Sequence, residues 1–135
     1  DYAHHPTEIR ALLEAARQVV APGGRVLVLF QPPLFSRTQA FADRFAAALD
    51  QADEVIVTGV YPARENQSDF PQVTGAMITD RMRAGRYVAD REQAAHAAAA
   101  AARPGDLLLT VGAGDVTELA DVVLEDLRRR GDGAS

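Results

Sequence analysis

Two residue types that carry much of enzyme chemistry are missing from this 135-residue chain: cysteine and lysine. Without cysteine there is no disulfide, no thiol nucleophile and no thiolate ligand for a metal. Without lysine there is no Schiff-base amine, no P-loop lysine to hold a nucleotide phosphate, and no lysine of the kind a phosphate-receiver domain uses. All 14 basic residues are arginine, against 19 acids, for a formal net charge of −5. A chain short of positive charge is a poor match for nucleic acid, whose phosphates need a basic face. No apolar run approaches the roughly 18 residues of a membrane span, and no signal-peptide pattern opens the chain. At 47% hydrophobic and 24% charged residues, the composition is that of one globular domain with a real core.

Helical and strand patterns alternate along the chain. Pro6 and Glu8 suit a helix start, and Ile9, Leu12, Leu13, Ala16 and Val20 recur at helical spacing until Pro22-Gly23-Gly24. Val26 to Phe30 is a continuous apolar run, the pattern of a buried parallel strand. The spacing then predicts a helix over Thr38–Asp50, a strand over Glu54–Val60 and a long polar loop over Tyr61–Val73. A short helix over Gly75–Arg83 and a short strand at Tyr87-Val88 follow. Asp90 is placed to cap an alanine-rich helix over Arg91–Ala102. Leu107–Val111 reads as the last strand, Asp115–Arg130 as the last helix, and Gly131–Ser135 as a frayed tail. The expected class is α/β: a Rossmann-like, mostly parallel sheet with helices on both faces, in a single domain spanning 1–135. The abrupt polar start at Asp1 leads us to expect a piece of a longer protein.

Open parallel sheets bind ligands outside the carboxyl ends of their strands. The segments expected there are Asp1-Tyr2-Ala3-His4-His5, Gln31 to Thr38, Tyr61 to Asn66, and Gly112 to Asp115. His4 and His5 have three readings at this stage: a metal ligand, a substrate or phosphate contact, or a hydrogen bond within the loop. Arg37 falls in the first turn of its helix, where a cation opposes the macrodipole unless an anion binds beside it. Its bland alternative is a solvated side chain. Gly112-x-Gly114 resembles a dinucleotide turn, but Thr117 stands at the third glycine position, so close backbone packing competes with phosphate binding. Arg64 and Glu65 read equally as a loop ion pair or as ligand contacts. Arg128-Arg129-Arg130 reads as a cationic helix end.

DYAHHPTEI, FQPPLFSRT, VYPARE and GAGD, in that order over nearly the whole chain, resemble the C-terminal domain of the Mur ligase family. The HHP start followed by FQPxxxSRT is closest to the alanine-adding branch, and the murein-peptide recycling branch shares only the first of these. The resemblance implies an ATP-dependent amide ligase of cytoplasmic peptidoglycan synthesis that joins L-alanine to UDP-N-acetylmuramate through an acyl phosphate. ATP, Mg2+ and the UDP-sugar would be held mainly by other domains of the same polypeptide, and this segment alone would be inactive. By the same resemblance Asp1, His4 and His5 correspond to cofactor-binding positions. Tyr2, His4, Arg37, Gly112 and Gly114 correspond to substrate-binding ones, with Arg37 opposite the alanine carboxylate. No metal ligand is implied in this segment. Pro33 stands where the family pattern usually has His, which removes or relocates one polar contact to substrate. A stand-alone nucleotide- or anion-binding module and a protein-interaction domain are the competing readings from other classes.

Overall fold

The computed structural model describes residues 5–112 and 114–134. Four parallel strands form one sheet in the order β3-β2-β1-β4: β1 (Val26–Gln31), β2 (Glu54–Val57), β3 (Gly85–Tyr87) and β4 (Leu107–Gly112). The chain runs outward from β1 to β3 and then returns to the other side of β1. The strand order therefore reverses between β1 and β4, where open α/β sheets place ligands.

Helices α1 (Pro6–Val19), α2 (Phe35–Leu49) and the single turn α3 (Ala76–Thr79) cover one face. There Val26, Val28 and Phe30 meet Ile9, Leu13, Phe45 and Leu49 in one buried cluster. Helices α4 (Arg91–Ala101) and α5 (Val116–Ala134) cover the other face, where Leu29 and Ile56 meet Ala94, Ala95, Ala98, Ala99 and Leu119. The alternation of β1 between these clusters is the period-2 pleat of a strand buried on both sides. The alanine run of α4 is its sheet-facing surface, so this helix presents methyl groups where α1 and α2 present larger side chains. Full burial of each Leu, Ile or Phe contributes about 1.5–3 kcal/mol.

Most expected elements are present, with boundaries that moved for identifiable reasons. Helix α1 begins at Pro6, and the Asp90 carboxylate caps α4 by accepting from Gln93 N at 2.9 Å. Helix α2 starts at Phe35 rather than Thr38, because its cap comes from Glu65, far away in sequence. Strand β2 stops at Val57 rather than Val60: its partner β3 is only three residues long, and Gly59 turns onto Ala89 O. Strand β3 is Gly85–Tyr87 rather than Tyr87-Val88, although Val88 N still donates to Val57 O. Helix α3 is four residues, shorter than the expected stretch. The loop over 61–73 contains a 3-10 turn, Gln67–Asp69. The expected frayed tail is also corrected, since helical backbone continues through Ala134. Arg128–Arg130 therefore do not form the last turn. Arg130 instead donates to Ala99 O and ties α5 to α4.

The amino edge of the sheet is held by ions. Arg25 donates to Asp106 at 2.7 Å, to Glu54 at 2.8 Å and to Ala101 O at 2.8 Å, joining the starts of β1, β2 and β4 to the end of α4. Asp106 also accepts from the backbone N–H groups of Arg25 and Arg103. The Arg25 guanidinium, helped by these two donors and opposed by desolvation, holds the Asp106 carboxyl well below the usual carboxylate range. A carboxylate depressed in the folded state adds stability above its unfolded pKa and loses it as pH falls toward the folded value. Asp106→Asn should therefore lower the urea midpoint at pH 7, and its deficit against wild type should shrink below about pH 4. Equal deficits at pH 7 and pH 2.5 would contradict this account.

Candidate functional site

The carboxyl edge is built from loops that hold one another. Tyr61 N donates to Pro32 O and Leu34 N donates to Tyr61 O, both at 2.8 Å, so the segments following β1 and β2 pair like a short continuation of the sheet. Leu34 pays for this with a left-handed φ of 54°, an uncommon state for a branched side chain. Directly after it, α2 begins. The Ser36 N–H donates to Glu65 at 3.1 Å, the Ser36 hydroxyl donates to the other Glu65 oxygen at 2.5 Å, and Phe35 N adds a third donor. These donors, the Ser36 hydroxyl foremost, draw the Glu65 carboxyl below its ordinary pKa. Glu65 forms no ion pair with Arg64, so the loop ion-pair reading is corrected: its carboxylate caps α2.

Arg37 occupies the first turn of α2, half-buried, with no ion-pair partner among the described residues. The carboxylate expected beside a cation at this helix end is present, but both its oxygens are engaged by Ser36. Among the described residues nothing engages the Arg37 guanidinium, on the edge where β1 ends. Thr38, one residue on, is fully buried, and its hydroxyl donates to Pro33 O at 3.4 Å.

Gly112 and Gly114 have packing reasons of their own. Gly112 lies opposite Gln31 with φ of 132°, and a Cβ there would sit 2.2 Å from Gln31 O. Gly114, at φ 71°, lies under Tyr61, whose ring would be 2.2 Å from a Cβ. Gln31 itself is buried. Its amide oxygen accepts from Asp115 N at 3.0 Å, and its NH2 donates to the Asp115 carboxylate at 3.4 Å. That carboxylate also pairs with Arg91 at the start of α4. Gln31, Tyr61, Arg91 and Asp115 line an open cleft of about 370 Å³ together with Gly59 and Ala89.

His5 is the N-cap of α1: its Nδ1 accepts from Thr7 N at 3.3 Å, and its ring lies 5.6 Å from Phe41. Asp1, Tyr2 and His4 lie outside the described residues. The structure thus brings Arg37, Gly112 and Gly114 to one edge. Sequence reasoning missed the Arg91–Asp115 pair and the Glu65 cap. Arg91 carried the same signal as Arg37, a cation in a helix first turn, whereas the Glu65 cap left no local trace. Among the described residues no three His, Asp or Glu side chains converge on a point that would hold a metal ion. No described helix is long and apolar enough to cross a membrane.

A family model described as "Mur ligase, glutamate ligase domain" matches residues 1–114. The UDP-N-acetylmuramate–L-alanine ligase of Kineococcus radiotolerans is 58% identical over 96% of this chain and 28% of its own length. That of Mycobacterium marinum is 51% identical over 98% of this chain and 27% of its own. The chain thus spans little more than a quarter of these curated relatives. Among solved structures, a UDP-N-acetylmuramoyl-L-alanyl-D-glutamate–2,6-diaminopimelate ligase superposes with a TM-score of 0.74 at 20% identity, over 97% of this chain and 29% of that one. A murein peptide ligase from Psychrobacter arcticus gives 0.72 at 18%, over 94% and 26%. At these identities the likeness speaks for the fold.

Gly112→Ala should cost about 1–3 kcal/mol from backbone strain, with the collision against Gln31 O added to it. Gly23→Ala, at φ 80° with nothing within 4 Å of the new methyl, carries strain without collision. Urea unfolding should therefore rank Gly112→Ala well below Gly23→Ala. Equal stabilities would mean that the β1–β4 approach is loose.

Proposed function

The chain belongs to the Mur ligase family, and from that premise we propose that it is the C-terminal, amino-acid-binding domain of a cytoplasmic, ATP-dependent UDP-N-acetylmuramate–L-alanine ligase. The observation that carries this reading is the agreement of two independent facts. The relatives that match nearly the whole chain at 51–58% identity bear that name, and among the described residues Arg37, on the sheet edge after β1, has no carboxylate partner. The recycling-ligase alternative is supported by the HHP start it shares but not by FQPxxxSRT, and the murein peptide ligase structure is alike at the level of the fold, at 18% identity.

In this reading ATP phosphorylates the muramate carboxylate. The alanine amine attacks the resulting acyl phosphate, an amide bond forms, and inorganic phosphate leaves with the bonding electrons. This chain has no lysine to grip a phosphate and, among its described residues, no set of ligands suited to Mg2+. By the family resemblance ATP, Mg2+ and the UDP-sugar fall mainly to the rest of the polypeptide. The task left to this domain is orientation. Arg37 offers a planar, two-pronged donor to the alanine carboxylate, which turns the amine toward the acyl carbon. By the family resemblance Tyr2 and His4 are assigned to the alanine, Asp1, His4 and His5 to the nucleotide, and Gly112 and Gly114 to the substrate edge. Pro33 leaves the carboxylate to fewer side chains than the family pattern supplies, so Arg37 carries more of its binding.

In the full-length enzyme, Arg37→Ala should raise the alanine KM roughly 10- to 150-fold, the equivalent of about 1.5–3 kcal/mol for a charge-assisted hydrogen bond. The KM for UDP-N-acetylmuramate should hold. Arg37→Lys should recover only part of the loss, since it keeps the charge without the fork. An unchanged alanine KM with wild-type turnover would make Arg37 a surface charge and remove the basis of the assignment.

A further inference from the structure

Glu65 is committed to α2 in an unusual way. It lies 29 residues from Ser36 in sequence, on the loop after β2, yet both its oxygens are used on the first turn of α2. Phe35 N adds to the same carboxylate. Leu34 at the N-cap position supplies no side-chain cap and has a left-handed φ of 54°, and its N–H is held by Tyr61 O, again from the β2 loop. The other hydroxyl of the turn, on Thr38, is turned inward to Pro33 O. The position of the first turn, and with it the origin of the Arg37 side chain, is therefore set from the β2 loop.

The geometry has a second consequence. A carboxylate beside a helix N-terminus ordinarily attracts a first-turn arginine, and that pair would neutralise the guanidinium. Here the Ser36 hydroxyl and amide hold the two oxygens, and no Arg37–Glu65 ion pair forms. Glu65 also fills the helix end, so an incoming carboxylate finds the side chain of Arg37 rather than the free N–H groups of α2. We propose that Glu65 is a positioning residue: by capping α2 through Ser36 it aims Arg37, without pairing with it, at the substrate carboxylate. This rests on the reading of Arg37 as the alanine carboxylate's partner.

The test is a cycle in the full-length enzyme, comparing wild type, Arg37→Ala, Glu65→Ala and the double variant. Glu65→Ala should raise the alanine KM roughly 10-fold, as expected when a substrate-orienting group loses its support. Turnover at saturating alanine and the KM values for ATP and UDP-N-acetylmuramate should stay within about 2-fold. In the Arg37→Ala background the Glu65 substitution should add almost nothing, because the group it aims is gone. Glu65→Gln keeps an oxygen for Ser36 N and should return the alanine KM close to wild type. Ser36→Ala removes only the hydroxyl and should give a smaller rise in the same constant, so the inference remains testable if Glu65→Ala fails to fold. Independent, multiplying effects of the two substitutions would overturn the inference, as would an alanine KM that responds to Arg37→Ala but to neither Glu65→Ala nor Ser36→Ala. If Arg37→Ala alone leaves the alanine KM unchanged, the assignment of Arg37 fails first and the inference falls with it.

Discussion

The carboxyl end of this sheet depends on how closely the β4 backbone approaches Gln31. Gly112 and Gln31 are register partners on adjacent parallel strands, and a single methyl at Gly112 would occupy the space of the Gln31 carbonyl. That closeness lets the buried Gln31 amide reach Asp115 and fix the start of α5. Asp115 in turn holds Arg91 at the start of α4. On the other side of β1, the Tyr61 backbone stitches the β1 and β2 loops together while its ring covers Gly114. Three helix starts and three strand ends are thereby locked into one rigid rim, and the side chains that rim presents are held by the scaffold rather than by the loops alone.

The two edges of the sheet use charge differently. At the amino edge Arg25 is saturated by Asp106, Glu54 and a carbonyl, and Arg17 is bound to Asp53 and Gln51 O. A cation with that many partners is structural. At the carboxyl edge Arg37 has none among the described residues, although the Glu65 carboxylate reaches the same helical turn from the β2 loop. Leaving a half-buried guanidinium unpaired forgoes a stabilising contact, which is the kind of local inconsistency expected where an external ligand completes the set. An alanine carboxylate is of the right charge and shape to do so.

Much of this was legible in the sequence because the signals are local. Pro6, the Val26–Phe30 run, Asp90 and the Leu107–Val111 run each mark an element through periodicity or capping within a few residues. The sheet edge expected to bind ligand followed from what comes after each strand, and Arg37 from a charge set against a helix dipole. What escaped the sequence is non-local. Helix α2 begins at Phe35 because Glu65 reaches it from the β2 loop, and β2 ends at Val57 because its neighbour β3 is short. Helix α5 runs on through Gly131 and Gly133 against their low helix propensity. Gly112 and Gly114 looked like a phosphate turn by spacing, but their positive φ values serve contacts with Gln31 and Tyr61 that only the tertiary structure reveals.

The central claim is that this domain, through its carboxyl edge, supplies the alanine site of an amide ligase. Its most direct test exchanges the domain: this chain replaces the matching C-terminal segment of the Kineococcus radiotolerans ligase, to which it is 58% identical. Amino-acid-dependent ADP release is then measured with L-alanine, glycine and L-serine in turn. The account predicts a folded chimaera whose ADP release requires UDP-N-acetylmuramate and L-alanine together, with an alanine KM set by Arg37. A folded chimaera that binds UDP-N-acetylmuramate and ATP yet shows no response to L-alanine would contradict it.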